Sequence, residues 1–404
     1  MNTVLIVGLA TLGVVVSLVL GLVALRNQRV RLVGSIVAIV LAATSALAAL
    51  WGMGILFRAT APVPDDVLLF GNTSHSVFAL KASDATTRWS FSLLNPNSVI
   101  SSPPVMQDGV VYASTDSGVY ALAANDGHQL WHSPTAIIVQ AGSIGNGVIS
   151  GSSSIAIEST NQFAAINVSN GQQLWQVPAS MASEPVIVSN LVPVSGLVLV
   201  GTEQVGAEHS EMLALDQASG HQMWKIPLTA GPVLWLTAGS DGTVYGATQR
   251  FGGQPSIAFA LNPLTRTLLW QHPLSDFPQP ILTINEGTLY VGTGPSMVAL
   301  DAGSGNEIWH VDLGHNTGTS SIVIDQGVVY VGAIGAFYVL RANNGSLIWK
   351  HTDNDNVEFG TPLVSHGVVF SQTRQVGPTP FFSLDTGHHV YAFRASDGQQ
   401  YYCY

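Results

Sequence analysis

The chain has 404 residues, 47% of them hydrophobic and only 9% charged, with a formal net charge of −11. A soluble domain ordinarily carries about a quarter charged residues, so a cytosolic surface does not describe the whole chain. Beyond residue 60, nine Lys and Arg stand against 24 Asp and Glu, a balance of −15 that argues against nucleic acid or an anionic lipid surface as the partner.

In chain order, the first feature is an uncharged run from Thr3 to Leu25, followed by a second from Leu32 to Phe57. Each is long enough to cross a hydrocarbon core of about 30 Å, and only a helix satisfies its own backbone there. The expectation for 1–58 is therefore two transmembrane helices, about 3–25 and 32–57. Arg26, Arg29 and Arg31 lie in the short connection between them, which places that loop in the cytoplasm and the rest of the chain outside it. A cleaved signal peptide fits less well, because no basic segment precedes the first run.

From residue 60 onward a heptapeptide recurs. It reads Ser83-Asp-Ala-Thr-Thr-Arg-Trp89, then Asn125-Asp-Gly-His-Gln-Leu-Trp131, and it returns with Trp175, Trp224, Trp270, Trp309 and Trp349. Tyr402 fills the tryptophan slot of the last copy. A glycine lies four residues before the aromatic at Gly127, Gly171, Gly220, Gly305, Gly345 and Gly398, whereas Ala85 and Arg266 replace it in the first and fifth copies. The mean spacing of about 43 residues accommodates four short strands, the period of a propeller.

Each unit reads as an inner strand, a turn such as Asp108-Gly109, Glu286-Gly287, Gln326-Gly327 or His366-Gly367, a β-branched strand, and an Ala-Leu strand such as Met297–Ala302. An Asx-Gly turn and the tryptophan strand follow. Asn, Asp and Gly tolerate the positive φ of tight turns, and β-branched residues suit half-buried pleats. A tryptophan on the outermost strand is placed to wedge between neighbouring sheets. Eight units give an all-β fold over 60–404: an eight-bladed β-propeller of four-stranded antiparallel blades, preceded by the two-helix transmembrane hairpin.

The pattern Ala-Leu-Asp-x-x-x-Gly-x-x-x-Trp is fullest at Ala214–Trp224 and Ala299–Trp309. It resembles the repeat of the pyrroloquinoline-quinone-type eight-bladed propellers, in which the tryptophans dock each blade onto the next. That resemblance implies one of two functional kinds. Dehydrogenases of the family hold the quinone over the channel, between a tryptophan floor and a pair of adjacent cysteines, beside a calcium ion. Other members, similar to the BamB outer-membrane assembly factors, carry no cofactor and act as scaffolds.

Cys403 is the only cysteine, so the adjacent pair is absent here. Trp235, on an inner strand outside the repeat slot, is the one candidate for a quinone floor, and inter-blade packing is its alternative. His388-His389 lacks the further ligands that a zinc site requires. Asp84, Asp108, Asp126, Asp241 and Asp397 are turn formers, and Asp216 and Asp301 are structural hydrogen-bonders. No catalytic set is present, and no metal or cofactor is expected.

Insertions relative to the repeat mark the expected binding loops, 203–211, 249–256 and 372–389, all on one face. Phe381 and Phe382 in the last are candidate apolar anchors for a protein partner. The reading is a membrane-tethered, extracytoplasmic, non-enzymatic binding or assembly scaffold; the alternative is a quinone-dependent dehydrogenase of alcohols or sugars, with calcium.

Overall fold

In the computed structural model the described residues lie within 67–403. Outside them are 72–74, 82–85, several positions between 94 and 103, 141–142, 154–161, 179–185, 205–209, 229–232, 249–255, 275–281, 316–321, 355, 366 and 376–389. The expected hairpin at 1–58 falls before this span and is likewise outside the described residues. Among the described residues there is no helix, and none long and apolar enough to cross a membrane.

Strands fill antiparallel sheets in chain order, numbered here 1 to 8: 67–92, 105–133, 144–178, 186–228, 233–273, 282–312, 322–352 and 357–403. Sheet 6 shows the pattern. Strand A (Leu282–Asn285) pairs with B (Thr288–Thr293), B with C (Ser296–Asp301), and C with D (Glu307–Asp312). Glu286 and Gly287 join A to B with φ of 47° and 76°. Both central residues of this tight hairpin turn are left-handed, the geometry that matches the twist of the strands it joins. Asp108-Gly109, Asn146-Gly147, Ser195-Gly196 and Gln326-Gly327 repeat it.

The expected eight four-stranded blades are corrected to seven. Sheets 2 to 8 each hold at least four strands, whereas sheet 1 holds three, Val67–Gly71, Ser76–Lys81 and Thr87–Ser92. Counting tryptophan motifs registers the C–D hairpin, which sheet 1 has. That count is silent on strand A. Ahead of Val67 stands Pro62-Val63-Pro64-Asp65-Asp66. Those residues lie outside the described ones, and the three strands of sheet 1 are those among the described residues.

A second regularity lies in the C–D ladder. The tryptophan is paired with alanine in sheets 1 to 6, as in Ala79↔Trp89 and Ala299↔Trp309, and with Val339 in sheet 7. Tyr402 pairs with Ala392 in sheet 8, so its assignment to the same slot holds in register. Directly after this pair every sheet carries a register shift, which tightens the local twist before the outer turn. A small residue opposite leaves room for the indole.

The core is divided among the seams between sheets. Val77, Ala79 and Trp89 of sheet 1 pack with Val111, Ala113 and Tyr120 of sheet 2, and comparable clusters occupy each following seam. The A strands of sheets 3 through 8 touch their successors, so the A strands converge and the D strands lie at the rim. Leu80 of sheet 1 packs against the cluster of Phe370 and Ala392 in sheet 8, so the first sheet meets the last. That seam is the one whose sequence slot holds tyrosine, Tyr402, in place of tryptophan.

Candidate functional site: the seams and the B–C face

Six seams share one clasp. The indole N–H of Trp89 donates to the Ala124 carbonyl, and Trp131, Trp175, Trp270, Trp309 and Trp349 donate to Val168, Gln217, Ala302, Ala342 and Ala395. The distances are 2.8–3.1 Å, and each acceptor lies in the C–D turn of the next sheet. Beneath each ring sits the glycine of that same turn: Gly127, Gly171, Gly220, Gly305, Gly345 and Gly398, with φ of 68–74°. A Cβ added to any of them would lie 2.4–2.7 Å from the facing indole. The motif's glycine therefore serves the preceding sheet's tryptophan and not its own. The assignment of these aromatics to blade docking holds for the six.

Trp224 departs from the rule. The turn it faces is Pro263-Leu264-Thr265-Arg266, where Arg266 stands at the glycine position with a φ of 61°. Trp224 is still buried, yet among the described residues its N–H has no counterpart to the six bonds. A Cβ at the position that the other six turns give to glycine is the difference that accompanies the missing bond. The seam between sheets 4 and 5 is held nearer the axis instead. The buried Asn190 side chain donates to the Leu236 carbonyl at 2.9 Å and accepts from the Leu236 N–H at 2.7 Å. Ser189 accepts from Gly201 at 2.8 Å, which fixes the interruption that carries Asn190.

The B–C ends of the sheets carry the three insertions. Strand B is eight residues long in sheets 4 and 8, Leu197–Gln204 and Val368–Gln375, against which strand A is split in two. Glu203 and Glu211, expected in a loop, lie in the ladder through Glu203↔Ser210 and Thr202↔Glu211. Lys225 pairs with Glu211 at 2.9 Å on the exposed surface. The connections themselves, 205–209, 249–255 and 376–389, lie outside the described residues, and so do Phe381, Phe382, His388 and His389.

Trp235 lies on strand A of sheet 5 and packs against the cluster of Tyr245, Leu274 and Leu282 between sheets 5 and 6. The packing alternative is thus the one the structure shows. Asp216 accepts from the backbone and hydroxyl of Ser219 at 2.8 and 2.6 Å, and Asp301 does the same with Ser304 at 2.8 and 2.7 Å. These bonds hold both carboxyls below their usual range, so both aspartates form turns as expected. Among the described residues no three His, Cys, Asp or Glu side chains converge to hold a metal. Of the quinone site that the resemblance describes, the adjacent cysteine pair is absent from the sequence, whose one cysteine is Cys403.

His351 of sheet 7 is enclosed by Phe393, Tyr391 and Phe359 of sheet 8, with ring centroids at 4.9, 5.3 and 5.8 Å. Tyr391 donates to Asp353. Burial pushes the imidazole below its usual range, opposed by the Asp353 carboxylate. This box was missed in the sequence, where His351 stands two residues after Trp349 in a position taken elsewhere by Phe91, Val177, Ile226 and Val311.

The family model for the outer membrane protein assembly factor BamB matches residues 37–257, 254–314 and 294–402. The chain belongs to this family. Solved structures similar to it include BamB from Moraxella catarrhalis, at 17% identity and a TM-score of 0.52, covering 76% of this chain and 91% of that one. The dihydro-heme d1 dehydrogenase NirN is similar at 9% identity and a TM-score of 0.60, with 87% and 76% covered. Quinohemoprotein alcohol dehydrogenase ADHIIG from Pseudomonas putida HK5 follows at 11% and 0.54, with 78% and 69% covered. At such identities the likeness establishes the β-propeller fold. No curated protein matches the chain.

Proposed function

We propose that this chain is a non-enzymatic assembly scaffold that binds a protein partner on the B–C face of its propeller. The observation that carries the reading is the match to the BamB assembly-factor family across most of the chain. Two features support it: the aspartates of the repeat are spent on turns, and the family's quinone floor has no counterpart in Trp235. Phe381 and Phe382 are the anchors of this face, in the longest of the three B–C connections. The hairpin at 1–58 tethers the propeller outside the cytoplasm.

The test is co-purification from a detergent extract of the full chain, compared with Phe381→Ser/Phe382→Ser. Loss of the co-purifying protein in the double variant supports the reading, and an unchanged set of partners overturns it. Adding pyrroloquinoline quinone and calcium addresses the dehydrogenase alternative. A bound chromophore with dye reduction on an alcohol or sugar would replace the scaffold by that enzyme.

A further inference from the structure

The fifth repeat breaks its own rule at one turn, and the break costs stability that nothing else in the seam requires. Six turns present a glycine to the neighbouring indole, whereas here Arg266 occupies a left-handed backbone position and the Trp224 clasp is lost. A non-glycine residue held in that region costs about 1 kcal/mol or more, so an outlier of this kind points to a selected role. The same turn carries a second anomaly. Leu264 is 67% exposed, whereas the exposure of Leu269 and Leu268 at 50% and 39% is shared with Leu174, Met223, Ile308 and Leu347 in the same slots of other sheets. At the position of Leu264 the other described turns have Asn125, Ser169, Ala218, Gly303, Asn343 and Ser396.

Charge adds a third. Equivalent turns carry carboxylates at Asp126, Asp216, Asp301 and Asp397. The third, fifth and seventh have none, and among the described residues the exposed Arg266 guanidinium makes no hydrogen bond or ion pair, whereas Arg341 of the seventh turn donates to Ser346. By contrast Arg394 in the eighth pairs with Asp397 at 3.0 Å. The display is also rigid. Asn262 accepts from the N–H groups of both Leu264 and Thr265 at 3.0 Å, and the hydroxyls of Thr265 and Thr267 lie 2.7 Å apart. A fixed turn loses little entropy on docking.

We infer that the outer turn of sheet 5, Leu264–Leu269 with Arg266, is a docking site for an acidic, aliphatic segment of a partner protein. The leucines supply the apolar contact, and the Arg266 guanidinium, which no carboxylate among the described residues engages, selects a carboxylate. The inference rests on the reading of the propeller as a protein-binding scaffold and adds to it a second site with a stated chemistry, away from the B–C face.

The experiment measures fluorescence anisotropy of two labelled peptides, one alternating Leu with Glu and one alternating Leu with Lys, on the full-length protein in detergent. Wild type is expected to prefer the Glu peptide and to lose it as salt rises. Arg266→Glu should weaken that peptide by about tenfold or more and gain the Lys peptide, and Leu264→Ser/Leu269→Ser should lose both. Arg266→Gly relieves the backbone and cannot fail by unfolding the turn, and it too must weaken the Glu peptide. Equal binding of the two peptides to wild type, or no response to either Arg266 substitution, overturns the inference. So does a change in sedimentation of wild type that the leucine substitutions abolish, which would make the occupant a second copy. Phe381→Ser/Phe382→Ser should leave the Glu peptide bound. If that variant loses its co-purifying protein while the peptides fail, only the sheet 5 site falls.

Discussion

Gly345→Ala isolates the clasp from every other effect of a turn glycine. In the wild type Gly345 sits at φ 68° beneath Trp309, and an added Cβ would lie 2.7 Å from the indole. Gly327 is the matched control: its φ is 76°, and a Cβ there meets nothing within 4 Å. Both substitutions place alanine in the left-handed region at about 1–2 kcal/mol, partly offset by about 0.4–1 kcal/mol from a stiffer unfolded chain. Gly327→Ala should therefore cost about 1 kcal/mol. Gly345→Ala adds an overpacking cost of about 1–3 kcal/mol and loses most of the Trp309–Ala342 hydrogen bond, about 1 kcal/mol. Its expected total is about 3 kcal/mol. Urea unfolding followed by far-ultraviolet circular dichroism reads the difference. With a slope of about 3 kcal/mol per M, the midpoints should fall by roughly 1 M and 0.3 M. Equal midpoints for the two variants would show that the glycines serve only the turn, and the seam argument would fail.

Other outcomes follow from the same contacts. Arg266→Gly should raise thermal stability by about 1 kcal/mol, because it frees Trp224 to seat against Pro263; a fall in the midpoint would show that arginine stabilises the turn. Asn190→Leu removes both bonds to Leu236 and leaves two buried backbone groups unpaired, a loss of about 2–4 kcal/mol, whereas Asn344→Leu on the exposed turn of sheet 7 should change little. Trp309→Ala should cost about 3–5 kcal/mol by the same urea assay. His351 stays neutral in the folded protein to a lower pH than in the unfolded chain. Its contribution is therefore complete above about pH 6.5 and declines as acid protonates the unfolded chain first. His351→Phe should flatten that part of the stability profile, and an unchanged slope below pH 6.5 would place the acid sensitivity elsewhere.

The outer half of each sheet was legible in the sequence because two rigid requirements meet there. An indole needs a small cross-strand partner, and a left-handed turn needs glycine, so Ala299, Gly305 and Trp309 recur at fixed offsets. The glycine's second role was not legible, since a contact across 38 residues, Trp89 to Gly127, leaves no local trace. The inner strands were harder. They are short and lack a fixed motif, and the count of complete blades failed at sheet 1, which holds three strands among the described residues. Asn190 was illegible because one polar residue in an apolar stretch gives no hint of its partner 46 residues away. The binding loops were found by length alone, which locates a face without naming what it touches. Arg266 was visible as a departure from the repeat, and its meaning required the exposure of Leu264 and Leu269.

Hydrogen exchange of the indole N–H groups, resolved by nuclear magnetic resonance on tryptophan-labelled protein, tests the seams directly. Trp89, Trp131, Trp175, Trp270, Trp309 and Trp349 should exchange slowly, each held by a neighbouring sheet, while Trp224 and Trp235 exchange quickly. Protection of Trp224 equal to that of the six, or rapid exchange at several of them, would contradict a ring in which six seams carry an indole bond and the Trp224 seam does not.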